Sequence, residues 1–205
     1  MEYIFHILIL ASIYGILSLA QNLVMGGTGL LTLAGAAFYG IGAYTAAILT
    51  TSFDLGIFPI LIIAPIIAGL IALTVGASFA RFRDDYFLLA TLGFLMIFNT
   101  VARNWENVTG GSFGIAGIPK PQIFSFVFDS PFSFMWLALA VFLFTTGVCY
   151  FISRSSFGRV LNAIREDENA LQVFGYKTSI YKLIIFTIGA SLSALAGVLI
   201  ATHIT

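Results

Sequence analysis

Charge is what this sequence has least of. Its 205 residues include nine basic and nine acidic side chains, 9% in all, against 60% hydrophobic residues. Soluble domains carry about 25% charged residues, so a water-covered globule of this length would lack the polar surface it needs. Cysteine is almost absent too. Cys149 stands alone inside an apolar run, which excludes an internal disulfide and a thiolate zinc site. The two histidines, His6 and His203, fall near the ends of apolar runs and read as interfacial residues. With no HExxH or CxxC in the chain, the sequence points to no metal ligand set. Acids and bases balance to zero, so no basic excess argues for nucleic acid.

What the chain does have is long apolar runs. Mean hydropathy is +1.03, and several runs approach or exceed ~18 residues, the length that reads as a membrane span. They are apolar throughout rather than alternating, which argues against a transmembrane barrel. The expected fold is an all-α, polytopic transmembrane helix bundle with six spans, at 3–22, 30–51, 57–79, 86–101, 132–152 and 181–201. A glycine-rich break at 25–29 separates the first two, and a more polar loop covers 103–131. Met1-Glu2-Tyr3 lacks the basic start of a secretory signal, so the first span reads as a retained helix.

The few charges are not scattered. Residues 153–182 hold Arg154, Arg159, Arg165, Glu166, Asp167, Glu168, Lys177 and Lys182. Such an island can be neither core nor lipid-facing, and reads as an exposed connection carrying a short helix that touches a partner. One set of connections holds seven basic residues, Arg81, Arg83, Arg154, Arg159, Arg165, Lys177 and Lys182, and the opposite set two, Arg103 and Lys120. The positive-inside bias therefore places 153–182 in the cytoplasm. The N-terminus, the Asp54 turn, the 103–131 loop and the chain's end then lie outside.

Within the island Phe157, Leu161, Ile164, Leu171 and Phe174 recur near one face of a helix, interrupted by Glu168. Arg159, Arg165, Glu166 and Asp167 fill the rest. Gly158 reads as a break at its start and Gly175 as the glycine after its last turn. A helix this short is marginal alone in water, so it needs the bundle or a partner. By the residues alone, docking on a partner and lying on lipid headgroups are equally open.

Small residues repeat at four-residue spacing in the second span (Thr32, Ala36, Gly40) and the sixth (Gly189, Ser193, Gly197, Ala201). In lipid such rows let helices approach closely, either as fixed packing or as surfaces that slide along a pathway. Polar candidates for a pathway are Asn22, Thr28, Thr32, Asn99 and Thr100, with Gly27 and Gly29 in a helix break that could expose backbone groups. Bonding within the bundle is the alternative for each. No charge falls in mid-span, which argues against a proton- or sodium-coupled carrier. No catalytic constellation stands out. Gly175-Tyr176-Lys177-Thr178 separates the glycine and lysine that a Walker A loop needs adjacent. The G-x-S-x-G at 110–114 lies in a loop without the strand–turn–helix context of a nucleophile elbow.

Three stretches, in order, resemble the permease subunits of branched-chain amino acid ABC transporters (the Liv type). They are GLLTLAGAAFYGIGAYTAA from Gly29 to Ala47; Asn104-Trp105-Glu106 with Thr109-Gly110-Gly111 and Gly114-Ile115-Ala116-Gly117-Ile118-Pro119; and Phe157-Gly158-Arg159 through Ala163-Ile164-Arg165-Glu166-Asp167-Glu168 to Gly175 and Tyr181-Lys182-Leu183. The family often has histidine where this chain has Gly35.

The resemblance implies an importer subunit in a bacterial or archaeal cytoplasmic membrane, not an enzyme. Its coupling helix, with Gly158, Arg159, Leu161, Ile164, Arg165, Glu166, Asp167, Glu168 and Gly175, would dock on ATP-binding cassette subunits. ATP would sit on those partners, with no cofactor on this chain. A second permease subunit, membrane lipid and a periplasmic or lipid-anchored substrate-binding protein complete the partners. The binding protein would meet the external loop of Trp105, Thr109, Gly110, Gly111, Gly117 and Pro119. The implied cargo is branched-chain amino acids, with urea, short amides or other amino acids, or an ATPase-independent channel, as alternatives. Residues 1–205 would form one permease domain. Family members continue beyond the sixth span, so the resemblance implies a fragment or a shortened member.

Overall fold

Spans that meet lipid must satisfy their backbone polar groups internally, which only helices or closed barrels do. The computed structural model describes the chain except residues 1, 54, 80, 81, 83, 116, 118–121, 124, 125, 128–130, 204 and 205. It is almost wholly helical. The elements are α1 (Glu2–Thr28), α2 (Ala34–Phe53), α3 (Ile57–Phe79), α4 (Asp84–Asn104), short α5 (Glu106–Thr109), a 3-10 turn (Gly111–Phe113), α6 (Pro131–Arg154), α7 (Ser156–Glu166), α8 (Glu168–Val173) and α9 (Thr178–His203). Between the 3-10 turn and α6, β1 (Gln122–Ile123) pairs with β2 (Phe126–Val127) in a two-residue antiparallel ladder. Among the described residues, α1, α3, α4, α6 and α9 have the length and apolar content to cross a membrane. The sixth long helix, α2, is diluted by glycine, threonine and tyrosine, and it is sheltered by α9, α3 and α4.

The last helix is the centre of the bundle. In α9 72% of the most apolar window is buried, against 17% to 33% in the other four. Apolarity does not single it out, since α3 is more apolar and less buried; its buried small residues, Gly189, Ala190, Ser193, Ala194 and Gly197, let neighbours approach closely, and α9 is enclosed by α1, α2 and α3, with α6 behind α1. Phe38 of α2 and Phe87 of α4 meet Phe186 of α9 edge-on, with ring centroids 5.6 and 5.7 Å apart. Ser191 of α9 donates to the carbonyl of Pro65 in α3 at 2.9 Å.

The α2–α9 crossing is made by backbone meeting backbone. A Cβ added at Gly42 would collide with the Ala194 carbonyl, and one at Gly197 with the Tyr39 carbonyl. This corrects the small-residue row expected on the second span. Ala36 of that row is exposed, and Gly40 faces Phe98 of α4. The face that meets α9 is set two residues on, at Gly42. The row expected on the sixth span serves two neighbours, Gly189 approaching Val24 of α1 and Gly197 approaching α2.

The helix break is also displaced. α1 runs through Gly26 and Gly27 and stops only at Thr28. Gly29, at φ +74°, takes the left-handed conformation that ends it. Residues 29–33 form the elbow to α2, and side chains satisfy its backbone. Thr28 Oγ1 accepts from Leu30 N at 3.3 Å, Thr32 Oγ1 from Ala34 N at 3.2 Å, and Thr91 Oγ1 from Leu33 N at 3.2 Å. Helix hydrogen bonds tolerate the two glycines because their neighbours keep the turn closed, so the glycine pair costs stability without breaking the helix.

Candidate functional site

The charged island is built from the end of α6 upward. Ser155 caps α7, its side chain accepting from Gly158 N at 3.1 Å, a bond that satisfies one of the free N–H groups of the first turn. Gly158 therefore lies inside α7 and is not a break before it. Its place reflects crowding: a Cβ there would strike the carbonyl of Ile152 at the end of α6. α7 ends at Asp167, which also caps α8 by accepting from Ala170 N at 3.0 Å. Gly175, at φ +85°, closes α8. Tyr176 N donates to Leu171 O at 3.1 Å and Gly175 N to Gln172 O at 3.0 Å, the paired bonds of a Schellman ending.

One expected helix is thus two, and the change of direction at Asp167 redistributes the faces. Leu161 and Ile164 point inward, among Ala20 and Leu23 of α1, Cys149 of α6 and Ile185 of α9. Phe157 stacks on Tyr181 with centroids 5.6 Å apart. Phe174, expected on that same face, is 80% exposed, and Val173 is 87% exposed. Arg159, Arg165, Glu166 and Asp167 are exposed as well.

Glu168, which interrupted the apolar face of a single helix, becomes its anchor once α8 starts afresh. Its carboxylate accepts from Lys182 Nζ at 2.6 Å and from Thr178 Oγ1 at 2.8 Å, both on α9. Gln172 Nε2 reaches Thr178 Oγ1 at 3.1 Å. The Lys182 side chain is 6% exposed and that of Glu168 21%. A second link joins α7 to α1: Arg165 Nη1 donates to the Gly26 carbonyl at 2.9 Å. The carbonyls of a helix's last turn lack internal partners and carry partial negative charge, so a guanidinium suits them. The Arg165 stem also packs beside Gly29 of the elbow. An open cavity of about 440 Å³ lies between α1, α6 and α7, with Asn22, Gly27, Thr146, Asn162 and Arg165 in its lining. A second of about 290 Å³, lined by Thr28, Gly29, Glu168 and Lys182, lies under the elbow.

Four of the expected pathway residues fall in two cavities that share Arg165, and the others lie apart. Asn22 and Gly27 line the first cavity and Thr28 and Gly29 the second, Thr32 is a buried cap of α2, and Asn99 is exposed on α4. Gln21, which the sequence did not single out, is a half-buried polar side chain between α1 and α2. It donates to the Thr32 carbonyl at 3.3 Å and fills the space where a side chain at position 35 would sit, 2.6 Å from a Cβ placed on Gly35. Only the pairing of α1 with α2 could reveal that contact.

The loop after α4 is a compact cap. Thr109 Oγ1 lies 2.7 Å from the Ala102 carbonyl and 2.8 Å from that of Trp105. Gly110, Gly111, Gly114 and Gly117 all have positive φ. Pro119 lies outside the described residues. Among the described residues no group of three or more His, Cys, Asp or Glu gathers. The island is an exposed apex joined by buried or bonded side chains to α1, α6 and α9.

No solved structure matches the chain. It is 36% identical, over 95% of its length and 51% of the relative's, to the high-affinity branched-chain amino acid transport system permease protein LivM of Escherichia coli K12. It is 30% identical, over 70% of its length and 43% of the relative's, to the probable branched-chain amino acid transport permease protein LivM of Methanocaldococcus jannaschii. A more distant relative is the autoinducer 2 import system permease protein LsrC of Salmonella typhimurium LT2, 24% identical over 71% of this chain and 41% of its own. The chain spans about half the length of the curated LivM relatives it matches. The profile of the branched-chain amino acid transport system permease component family matches residues 3–205, and the chain belongs to that family of multi-pass membrane proteins.

Proposed function

We propose that this chain is part of the membrane-spanning subunit of an ATP-driven importer of branched-chain amino acids. Its island would face the cytoplasm of a bacterial or archaeal cell, and partner subunits would bind and hydrolyse the ATP. A substrate-binding protein would deliver cargo at the capped end, and a second permease subunit would complete the passage. The observation that carries this reading is the α7–α8 apex. It exposes Val173 and Phe174 to a partner while Glu168 and Arg165 hold it to α9 and α1. A displacement of the apex would therefore reach the two helices that run the depth of the bundle. The names of the LivM relatives support the cargo.

The test is reconstitution of the full permease with its ATP-binding and substrate-binding partners, with labelled leucine uptake competed by other amino acids and by urea. ATP-dependent leucine uptake is expected, and labelled urea entering in place of leucine would overturn the cargo. Docking has its own readout. Val173→Asp with Phe174→Asp is expected to abolish co-purification of the ATP-binding subunits while the chain still inserts and folds, because both side chains are free of the core. Normal co-purification of this variant overturns the docking surface. A substitution at Ile164 would not report on docking, since Ile164 is 4% exposed and a carboxylate there destabilises the fold itself.

A further inference from the structure

His6 and His203 are 197 residues apart in sequence and meet in space. They stand at the end of the bundle opposite the island, one in the second turn of α1 and the other at the last residue of α9. His6 Nδ1 lies 3.4 Å from His203 Nε2. The ring centroids are 5.2 Å apart. Phe134 of α6 stacks on the His203 ring at 5.3 Å and 19°, which fixes its plane. These are the chain's two histidines, and nothing in the island or its linkages uses them.

We propose that His6 and His203 form a two-histidine site for a divalent transition-metal ion, stapling α1 to α9 at this end. Imidazole nitrogens are favoured ligands of such ions. Two nitrogens each about 2.05 Å from a tetrahedral ion lie roughly 3.3 Å from one another, close to the observed 3.4 Å; each ring then turns by about 35° so that its lone pair leaves the line between the nitrogens and points at the ion. In the free pair one ring donates its N–H to the other. On binding, that ring's proton moves to its second nitrogen, so both facing nitrogens present lone pairs and no net proton is lost. His6 is exposed and His203 half-buried, both at the ends of their helices, where an interface would supply water for the remaining positions. The staple would join the same two helices that Arg165 and Glu168 grip at the other end, and an ion there would oppose their separation.

The site is tested on the full protein purified in detergent with an affinity tag free of histidine. Cu²⁺ is titrated first, then Ni²⁺ and Zn²⁺, Cu²⁺ being expected to bind most tightly. One Cu²⁺ per chain is expected, with an electron paramagnetic resonance spectrum showing two nitrogen ligands and a rise in melting temperature at saturation. His6→Gln and His203→Gln are each expected to lose the two-nitrogen signature and the rise in melting temperature. A wild-type spectrum with one nitrogen or none overturns the site, and so does unchanged stoichiometric binding in the double variant. The spectrum of the unaltered protein decides even if a variant fails to fold.

Discussion

Glu168→Leu is expected to free α8 from α9, lower the stability of the chain by about 3 kcal/mol and abolish ATP-driven uptake in the assembled transporter. The cause is what the substitution leaves behind. Lys182 is 6% exposed at its side chain and rests 2.6 Å from the Glu168 carboxylate. Without that carboxylate a largely buried cation is left with its partner gone, and removing one partner of a buried pair costs more than the pair itself contributes. Thr178, 2% exposed, loses an acceptor at the same time. Glu168→Leu combined with Lys182→Met removes both charges and is expected to restore most of the lost stability. Thermal or denaturant unfolding of the parent, Glu168→Leu, Lys182→Met and the double variant in detergent completes the cycle. A single Glu168→Leu variant as stable as the parent would show that the pair does not anchor α8.

Gly197→Val is expected to open the α2–α9 crossing and cost about 3 kcal/mol, near the upper range for forcing atoms into a packed core. At Gly197 the obstruction is backbone, the Tyr39 carbonyl and, at 2.8 Å, the Ala43 amide. Neither can swing aside as a side-chain tip could. Because α9 is the central helix, displacing it from α2 also disturbs its packing on α1 and α3. Gly147 of α6 supplies the control, since a Cβ there meets nothing within 4 Å. Gly147→Ala is expected to be neutral or slightly stabilising, as alanine is the better helix former. Equal losses of folded yield at 197 and 147 would contradict the crossing.

Much of the fold is legible in the sequence. Long apolar runs mark the helices, because hydrocarbon leaves the backbone no alternative partner. Glycine at 175 marked the end of α8 because only a left-handed residue makes that Schellman closure cheaply. The failures have equally definite causes. The glycines at 26 and 27 suggested a break, but local propensity is weak against helix bonds held by tertiary packing. Gly158 resembled another break, and is instead the point where α7 crosses the end of α6. Periodicity over 157–174 assumed a straight helix, and one capping residue, Asp167, rotated everything after it. That single turn changed Glu168 from a flaw into an anchor and moved Phe174 from the presumed inner face to the exterior.

The sequence alone determined the membrane class, the long apolar helices, the charged island between the last two of them and the kinship with the permease family. These depend on composition, on short-range periodicity and on ordered motifs. Tertiary structure alone decided that α9 is the centre, that α2 meets it through Gly42, that Gln21 fills the space beside Gly35, and that Lys182, Gly26 and His203 find their partners. Each of these pairings depends on how whole helices pack. The free energy that selects it is shared among many contacts between segments far apart in the chain, and no local pattern carries it.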